Sequence, residues 1–248
     1  MNARAYWVEA PGQGAIRTAQ ISEPGPDEVL VRTLYSGISR GTESLVYRGR
    51  VPVSQHEQMR CPHQEGTFSF PVKYGYIAVG RVERGGAIEG RNVFCLHPHQ
   101  THFVVPASMV TPLPEGLEPG LAVLAANLET AVNGVWDANP VPGEKVTVVG
   151  AGVVGALVAW RLREVTGARV ELVDINSERA TLAEQLGVDF ADPASASRDR
   201  DLIIHASGSE AGLHQALNLA ANEGRIVEMS WFGDKPVSVP LGETFHSR

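Results

Sequence analysis

The chain has 248 residues, 43% of them hydrophobic and 20% charged, which is enough apolar material for a sizeable core and argues against a disordered chain. Its length fits one large domain or two of unequal size. A formal net charge of −7 with no basic stripe argues against a nucleic-acid partner, and the two cysteines, Cys61 and Cys95, make neither a disulfide framework nor a four-cysteine zinc lobe.

The N-terminal string MNARAYWVEAPG lacks the charged-then-apolar pattern of a signal peptide. The longest apolar run, residues 146–160, is broken by glycines and falls short of the ~20 residues that a membrane span needs. With so few cysteines, the expectation is a cytoplasmic protein in a reducing compartment.

In chain order, EVLVRTLYSG, VKYGYIAVGRVERGG and NVFCLHPHQTHFVVPA are short runs rich in Val, Ile, Tyr and Phe that end at glycine or proline. They predict a β-rich, barrel-like unit over residues 1–122. PGLAVLAANLETAVNGVWDA then has the length and apolar spacing of a connecting helix. From residue 123 to 248 the pattern alternates: KVTVVG a strand, VVGALVAWRLREV a helix, ARVELVD a strand. SERATLAEQLG follows as a helix, with Ser177 as N-cap and Gly187 as its stop, and DLIIHAS, EAGLHQALNLA and GRIVEMSWFG continue the series. Strand–helix repeats of this kind imply an α/β unit with a parallel sheet covered on both faces. VSVPLGE reads as one more strand, with no helix after it to cover it.

The most specific signal is Gly150-Ala151-Gly152-Val153-Val154-Gly155, placed after a predicted strand and opening a predicted helix. Its glycines allow a tight turn, close approach of a diphosphate and close packing of helix on strand, while the helix N-terminus faces the phosphates. Asp174 ends the next predicted strand about twenty residues on, where a carboxylate accepts ribose hydroxyls and repels a 2′-phosphate. NAD is therefore the expected cofactor. Arg179 could instead serve a 2′-phosphate, although a solvated helix residue is the plainer reading. Small residues at the ends of two later strands, Ala206, Ser207 and Gly208 on one and Ser230 on the other, leave room for the second ribose and the nicotinamide. With Val153 and Val154 in the loop and Ile175 beside the aspartate, these make up the expected cofactor-binding set.

A β-rich unit followed by a dinucleotide-binding unit resembles the medium-chain dehydrogenase/reductase superfamily, in its zinc alcohol dehydrogenase-like branch. EVLVRTLYSGISRGTES, FPVKYGYIAVGRV and AANLETAVNGVWDA are similar to the three segments that carry the catalytic zinc ligands there. YSGISRGTE also resembles bacteriochlorophyllide a dehydrogenase-like proteins. The resemblance implies a GroES-like catalytic and substrate domain, a Rossmann domain for NAD, and homodimers made by pairing last strands, for which VSVPLGE is the candidate. It also implies a further segment after residue 248 that returns to the first domain.

The departures from that family carry as much chemistry as the match. A catalytic zinc needs three protein ligands and an open position. Here Ser39 or Arg40, depending on a one-residue shift, stands where the family has a cysteine. Tyr76 and Ile77 replace a His-Glu pair, and Glu129 alone matches a ligand of the polyol dehydrogenases. One oxygen donor does not hold Zn²⁺, so the expectation is a zinc-independent enzyme with no metal. His97, His99 and His102 form a second possible cluster; histidines in a polar loop are more often hydrogen-bonded than metal-bound.

Without zinc, a developing alkoxide needs hydrogen-bond donors or a fixed charge, and a proton path. Arg40, Thr42, Tyr76 and Glu129 are the catalytic candidates. Arg40 would replace the metal charge, and Tyr76 would donate to the same oxygen. Glu129 would orient one of them or accept a proton. The resemblance assigns Thr42 to the substrate oxygen and Thr130 to the nicotinamide region. Structural alternatives are an Arg40–Glu43 ion pair, a core tyrosine at 76 and a helix cap at 129. Tyr47, Tyr74, Trp231 and Phe232 read as pocket wall or core. The expected function is hydride transfer between NAD(H) and a small-molecule secondary alcohol or ketone. The alternatives are a zinc-free quinone or enone reductase and a catalytically silent nucleotide-binding protein.

Overall fold

The computed structural model describes residues 1–240 and Gly242. The chain divides into two compact units between Ala126 and Asn127. That point lies a little beyond residue 122 because the 3-10 turn Leu121–Leu124 stays with the first unit, where Ala122 packs with Val79 and Leu113.

The first unit is built from short antiparallel strands. In chain order these are β1 (Asn2–Ala10), β2 (Gln13–Gln20) and β3 (Glu28–Ser36), then helix α1 (Thr42–Tyr47). β4 (Glu65–Gly66), β5 (Val72–Lys73), β6 (Ala78–Arg84), β7 (Asn92–Cys95), β8 (His102–Pro106) and β9 (Val110–Pro112) follow. They form two sheets, ordered β2-β1-β5-β4 and β8-β3-β6-β7-β9. Alternation on the strands sends Val29, Val31, Val82, Val93, Phe103 and Val105 into one core. A second core gathers Val8, Leu45, Val46, Phe68, Val72 and Tyr74. The pairing of β3 with β8 sets Arg32 opposite His102, and beyond it Thr33 N donates to Thr101 O at 2.9 Å. This register delivers the loop before β8 to the end of β3.

Helix α2 (Ala125–Ala138) carries the division in its first turn and turns Ala131, Val135 and Ala138 into the core of the second unit. That unit continues with β10 (Lys145–Val149), α3 (Val153–Thr166), β11 (Arg169–Val173), α4 (Arg179–Leu186) and β12 (Asp189–Ala191). It ends with β13 (Arg200–His205), α5 (Glu210–Leu219) and β14 (Ala220–Glu228). The sheet runs β12-β11-β10-β13-β14 with every pair parallel, and the strand order switches between β10 and β13. Val148, Leu172 and Ile204 face α3 and α4, whereas Val149 and Ile203 face α5. Both faces are covered, as near-continuous apolar strands require.

Two local expectations are corrected. Ser177 does not cap α4. Asn176 Oδ1 instead accepts from Glu178 N at 3.0 Å, and this side-chain turn moves the cap position to Glu178, while Gly187 does end the helix in the left-handed region at φ 67°. VSVPLGE does not form the expected strand at residues 237–240, and residues 241 and 243 lie outside the described residues. Within 237–240 Pro240 has no N–H to give a ladder. Among the described residues no helix is long and apolar enough to cross a membrane.

Candidate functional site

In the second unit the site grows from the end of β10. Gly150 sits at φ 109°, and a Cβ there would lie 2.7 Å from Ser207 N at the end of β13. A Cβ on Gly155 would collide with Gly150 O, so both glycines are demanded by the fold itself. Gly152 differs. A Cβ there would meet nothing within 4 Å, so the protein gives no steric reason for glycine at this position. A ligand that approaches the backbone does give one, and the residues present fit the diphosphate of a dinucleotide. Val153 begins α3, whose first-turn amides lack intrahelical partners and favour an anion.

Asp174, half-buried after β11, accepts from Ala151 N at 2.6 Å through one oxygen and from Asn176 N at 2.8 Å through the other. The carboxylate therefore ties the glycine loop to the end of β11, a structural task the sequence did not reveal. Each oxygen keeps a second lone pair for a ribose hydroxyl. Ile175 beside it is 90% exposed, and Arg179 is exposed at the start of α4.

Ala206, Ser207, Gly208 and Ser230 come together at the ends of β13 and β14. Ala206 N donates to Val149 O at 2.8 Å, and Gly208 N donates to Ser230 Oγ at 3.0 Å. Their organiser is His205, which is fully buried. Its Nδ1 lies 2.7 Å from Glu228 Oε2 and its Nε2 lies 2.6 Å from Ser207 Oγ. Burial alone would raise the pKa of Glu228, but hydrogen bonds from His205 and Ser230 N hold it below the ordinary glutamate value. The ionised carboxylate accepts a hydrogen bond from Nδ1–H, which leaves Nε2 to accept from Ser207. Ser209 Oγ, 2.9 Å from Ser207 Oγ, accepts from Gly212 N at 3.1 Å and caps α5. Sequence reasoning passed over His205 because it sits in an apolar strand run.

Glu129 and Thr130 are exposed on α2, and Glu129 accepts from Asn133 Nδ2 one turn on. The remaining catalytic candidates belong to the first unit. Arg40 is exposed in the loop after β3, Thr42 opens α1, and Tyr76 is half-buried and stands edge-on to Tyr74. Glu43 does not pair with Arg40. It accepts from Ser39 N at 2.8 Å and lies 2.6 Å from His99 Nε2, while His99 Nδ1 meets Ser36 Oγ. Tyr47 and Tyr74 spend their hydroxyls on Gly12 O and Met59 O.

The three histidines of the possible cluster diverge. His97 stacks on Phe103 with ring centres 3.9 Å apart, and burial pushes its pKa down to about 3. His99 turns to Glu43, and His102 lies 3.8 Å from Glu83. Among the described residues no three ligating side chains gather as a metal site. Burial pushes the thiols of Cys61 and Cys95 up to about 11 and 12.

No protein-family model matches the chain. The 2-desacetyl-2-hydroxyethyl bacteriochlorophyllide A dehydrogenase of Rhodobacter capsulatus is 30% identical over 257 residues, a match covering 94% of this chain and 76% of that protein. The chain belongs to the medium-chain dehydrogenase/reductase superfamily. It is an oxidoreductase with the GroES-like and Rossmann units of that superfamily. An alcohol dehydrogenase of Escherichia coli CFT073 complexed with NADH shares the fold at TM-score 0.77 and 21% identity, covering 98% of this chain and 81% of the other. A protein described as a zinc-binding dehydrogenase of Sinorhizobium meliloti 1021, bound to NADP, does so at TM-score 0.77 and 21% identity, covering 96% and 80%.

Proposed function

We propose that this superfamily member moves hydride between NAD(H) and a secondary alcohol or its ketone without zinc. The observation that supports the cofactor half is the glycine loop at the end of β10, where Gly150 and Gly155 are demanded by the fold and Gly152, the N-cap of α3, leaves its backbone open to a ligand. Asp174 beside the loop favours NAD over NADP through its negative charge. When bound, the dinucleotide supplies hydride exchange at its nicotinamide ring. Gly150, Gly152, Val153, Val154 and Gly155 would hold the diphosphate, Asp174 and Ile175 the adenosine, and Thr130, Ala206, Ser207, Gly208 and Ser230 the nicotinamide end.

Zinc does not fit the donor set. The family's ligand positions hold Ser39 or Arg40, Tyr76 and Glu129, and a guanidinium and a neutral phenol are poor ligands for Zn²⁺. In this reading the guanidinium of Arg40 and the hydroxyls of Thr42 and Tyr76 stabilise the substrate oxygen as charge develops, and Glu129 orients them or takes a proton. The Rhodobacter relative is named for a hydroxyethyl-bearing bacteriochlorophyllide, which favours a sizeable cyclic alcohol as substrate. The reading includes a cytoplasmic homodimer; cysteine usage supports the compartment, and β14, the edge strand of its sheet, is the candidate pairing edge.

The test is turnover of NADH and NADPH with ketones, quinones and enones, beside metal analysis. Ketone turnover with NADH by metal-free protein is the expected result. Arg40→Ala and Tyr76→Phe are expected to remove turnover and spare NADH binding. Gly152→Val is expected to weaken NADH binding while lowering stability by no more than about 1 kcal/mol, the scale of an N-cap change. Stoichiometric zinc, or quinone turnover alone, would overturn the reading.

A further inference from the structure

We propose that Ser36, His99 and Glu43 form a proton relay that exchanges the hydroxyl proton of the alcohol substrate with solvent, with the His99 imidazole as carrier. The inference rests on the dehydrogenase reading above and supplies it with the acid–base path that the four sequence candidates left unspecified. Three segments far apart in sequence build the relay. Ser36 ends β3, Glu43 lies in the first turn of α1, and His99 comes from the loop before β8.

The direction of each hydrogen bond follows from charge. Glu43 Oε1 accepts from Ser39 N at 2.8 Å, and Oε2 faces His99 Nε2 at 2.6 Å. An ionised carboxylate has no proton to give, so Nε2 is the protonated ring nitrogen. Nδ1 is then the acceptor for the Ser36 hydroxyl. The side chains of His99 and Glu43 are only 14% and 12% exposed, whereas Ser36 is exposed. A shielded imidazole–carboxylate pair thus opens outward through one hydroxyl. Gly75 makes room for it, since a Cβ there would lie 2.9 Å from the His99 ring.

The relay adjoins the residues proposed to hold the substrate oxygen. Tyr76 follows Gly75, Gly37 N donates to Ile77 O at 3.1 Å, and Arg40 and Thr42 lie between Ser39 and Glu43. In the oxidising direction the alcohol O–H proton passes to Ser36 Oγ as the Ser36 proton passes to His99 Nδ1. The carbinol C–H bond breaks, its hydride goes to an oxidised nicotinamide dinucleotide, and a C=O bond forms. Once the ketone has left, the imidazolium, held against Glu43, returns its Nδ1 proton through Ser36 Oγ to water. Reduction runs the same steps backwards.

The groups facing His99 are Glu43 from α1, Ser36 from β3, the Tyr6 ring edge-on at 6.4 Å from β1, and His97 on its own loop. Burial, then Tyr47 and Glu43, raise the pKa of the Tyr6 phenol, and burial keeps His97 neutral above about pH 3, so neither ring adds a charge beside His99 at neutral pH.

The test uses the whole chain in two measurements. The first follows NADH-linked turnover against pH for wild type, Ser36→Ala and His99→Gln. Both variants are expected to lower kcat by about 100-fold, the scale of general acid–base catalysis, and to flatten the pH profile with little change in KM for NADH. Unchanged profiles overturn the relay. The second is nitrogen-15 NMR of the histidines without cofactor, which needs no turnover. A neutral His99 with its proton on Nε2, and a titration midpoint that falls by at least one pH unit in Glu43→Gln, support it. A proton on Nδ1, or a midpoint that does not move, overturns it. No turnover with any carbonyl compound, together with this NMR signature, supports the triad and overturns the dehydrogenase reading instead.

Discussion

Each unit contains a serine, a histidine and a glutamate joined through the imidazole, and the two chains differ in what they hold and where they end. In the first unit the imidazole and carboxylate are nearly equally shielded, at 14% and 12% exposure. In the second the imidazole is sealed at 0% and its carboxylate is 36% exposed. Ser36 ends the first chain as an exposed hydroxyl at the tip of a strand. Ser207 instead leads to Ser209, whose oxygen is occupied by the Gly212 amide at the start of α5. One chain runs from carboxylate to solvent and suits proton movement. The other runs from carboxylate to helix cap and braces the ends of β13 and β14. Identical residue types therefore carry different tasks, decided by whether the terminal hydroxyl is spent on backbone.

The contrast is tested most severely by replacing each histidine with alanine. His205→Ala removes a fully buried ring and leaves Glu228 and Ser207 without their partner. A loss of roughly 2–4 kcal/mol is expected in urea denaturation, the range for a broken buried network. His99→Ala is expected to cost less than half of that, because Glu43 keeps its bond from Ser39 N and the exposed Ser36 hydroxyl turns to water. Equal losses would mean that both chains are braces.

Much of this molecule was legible because its determinants are local. The glycine loop, the near-continuous apolar runs of β10, β11 and β13, and the stop at Gly187 each follow from a few adjacent residues. β12 was missed because Asp189-Phe190-Ala191 is too short to show a period. The cap at Ser177 failed because Asn176 competes with it two residues before Glu178. The Ser36–His99–Glu43 chain was not legible at all. It exists because β3 pairs with β8 and because α1 folds back beside them, and no spacing in the sequence encodes that register. The sequence places His99 beside His97 in one H-x-H spacing, yet the two rings leave the loop toward different partners, Glu43 and Phe103.

Acid should separate the units at intermediate cost. His97 is neutral in the folded chain down to about 3 and ordinary, near 6.5, when unfolded. Between those values only the unfolded chain binds the proton, so the first unit loses stability as pH falls below about 6.5. His63, also lowered by burial and by Lys73, adds to this in the same direction. Each group contributes at most about 1.4 kcal/mol per pH unit. Glu228, depressed below its ordinary 4.5, stabilises the second unit above that value and loses this as pH falls through its folded value. Amide exchange, corrected for intrinsic rate, is therefore expected to rise in β8 between pH 6 and 5 while β13 stays protected. His97→Phe, which keeps a ring against Phe103, is expected to reduce that rise; simultaneous opening of both strands would contradict the assignment.

The smallest effect separates the two terminal serines. Ser209→Ala removes the side-chain cap of α5, a change worth about 1 kcal/mol, and frees Ser207 on one side. Ser36→Ala removes an exposed hydroxyl whose partner, His99, keeps its bond to Glu43, so stability is expected to stay within about 0.5 kcal/mol of wild type. Chemical denaturation resolves that difference. Its value lies in combination with turnover, because a brace and a relay fail in opposite ways. Ser209→Ala is expected to lower stability and weaken NADH binding with its pH dependence intact, while Ser36→Ala is expected to leave stability and NADH binding alone and change the pH dependence of kcat. If Ser36→Ala behaves as Ser209→Ala does, the exposed end of the first chain is no outlet, and the distinction between the two chains disappears.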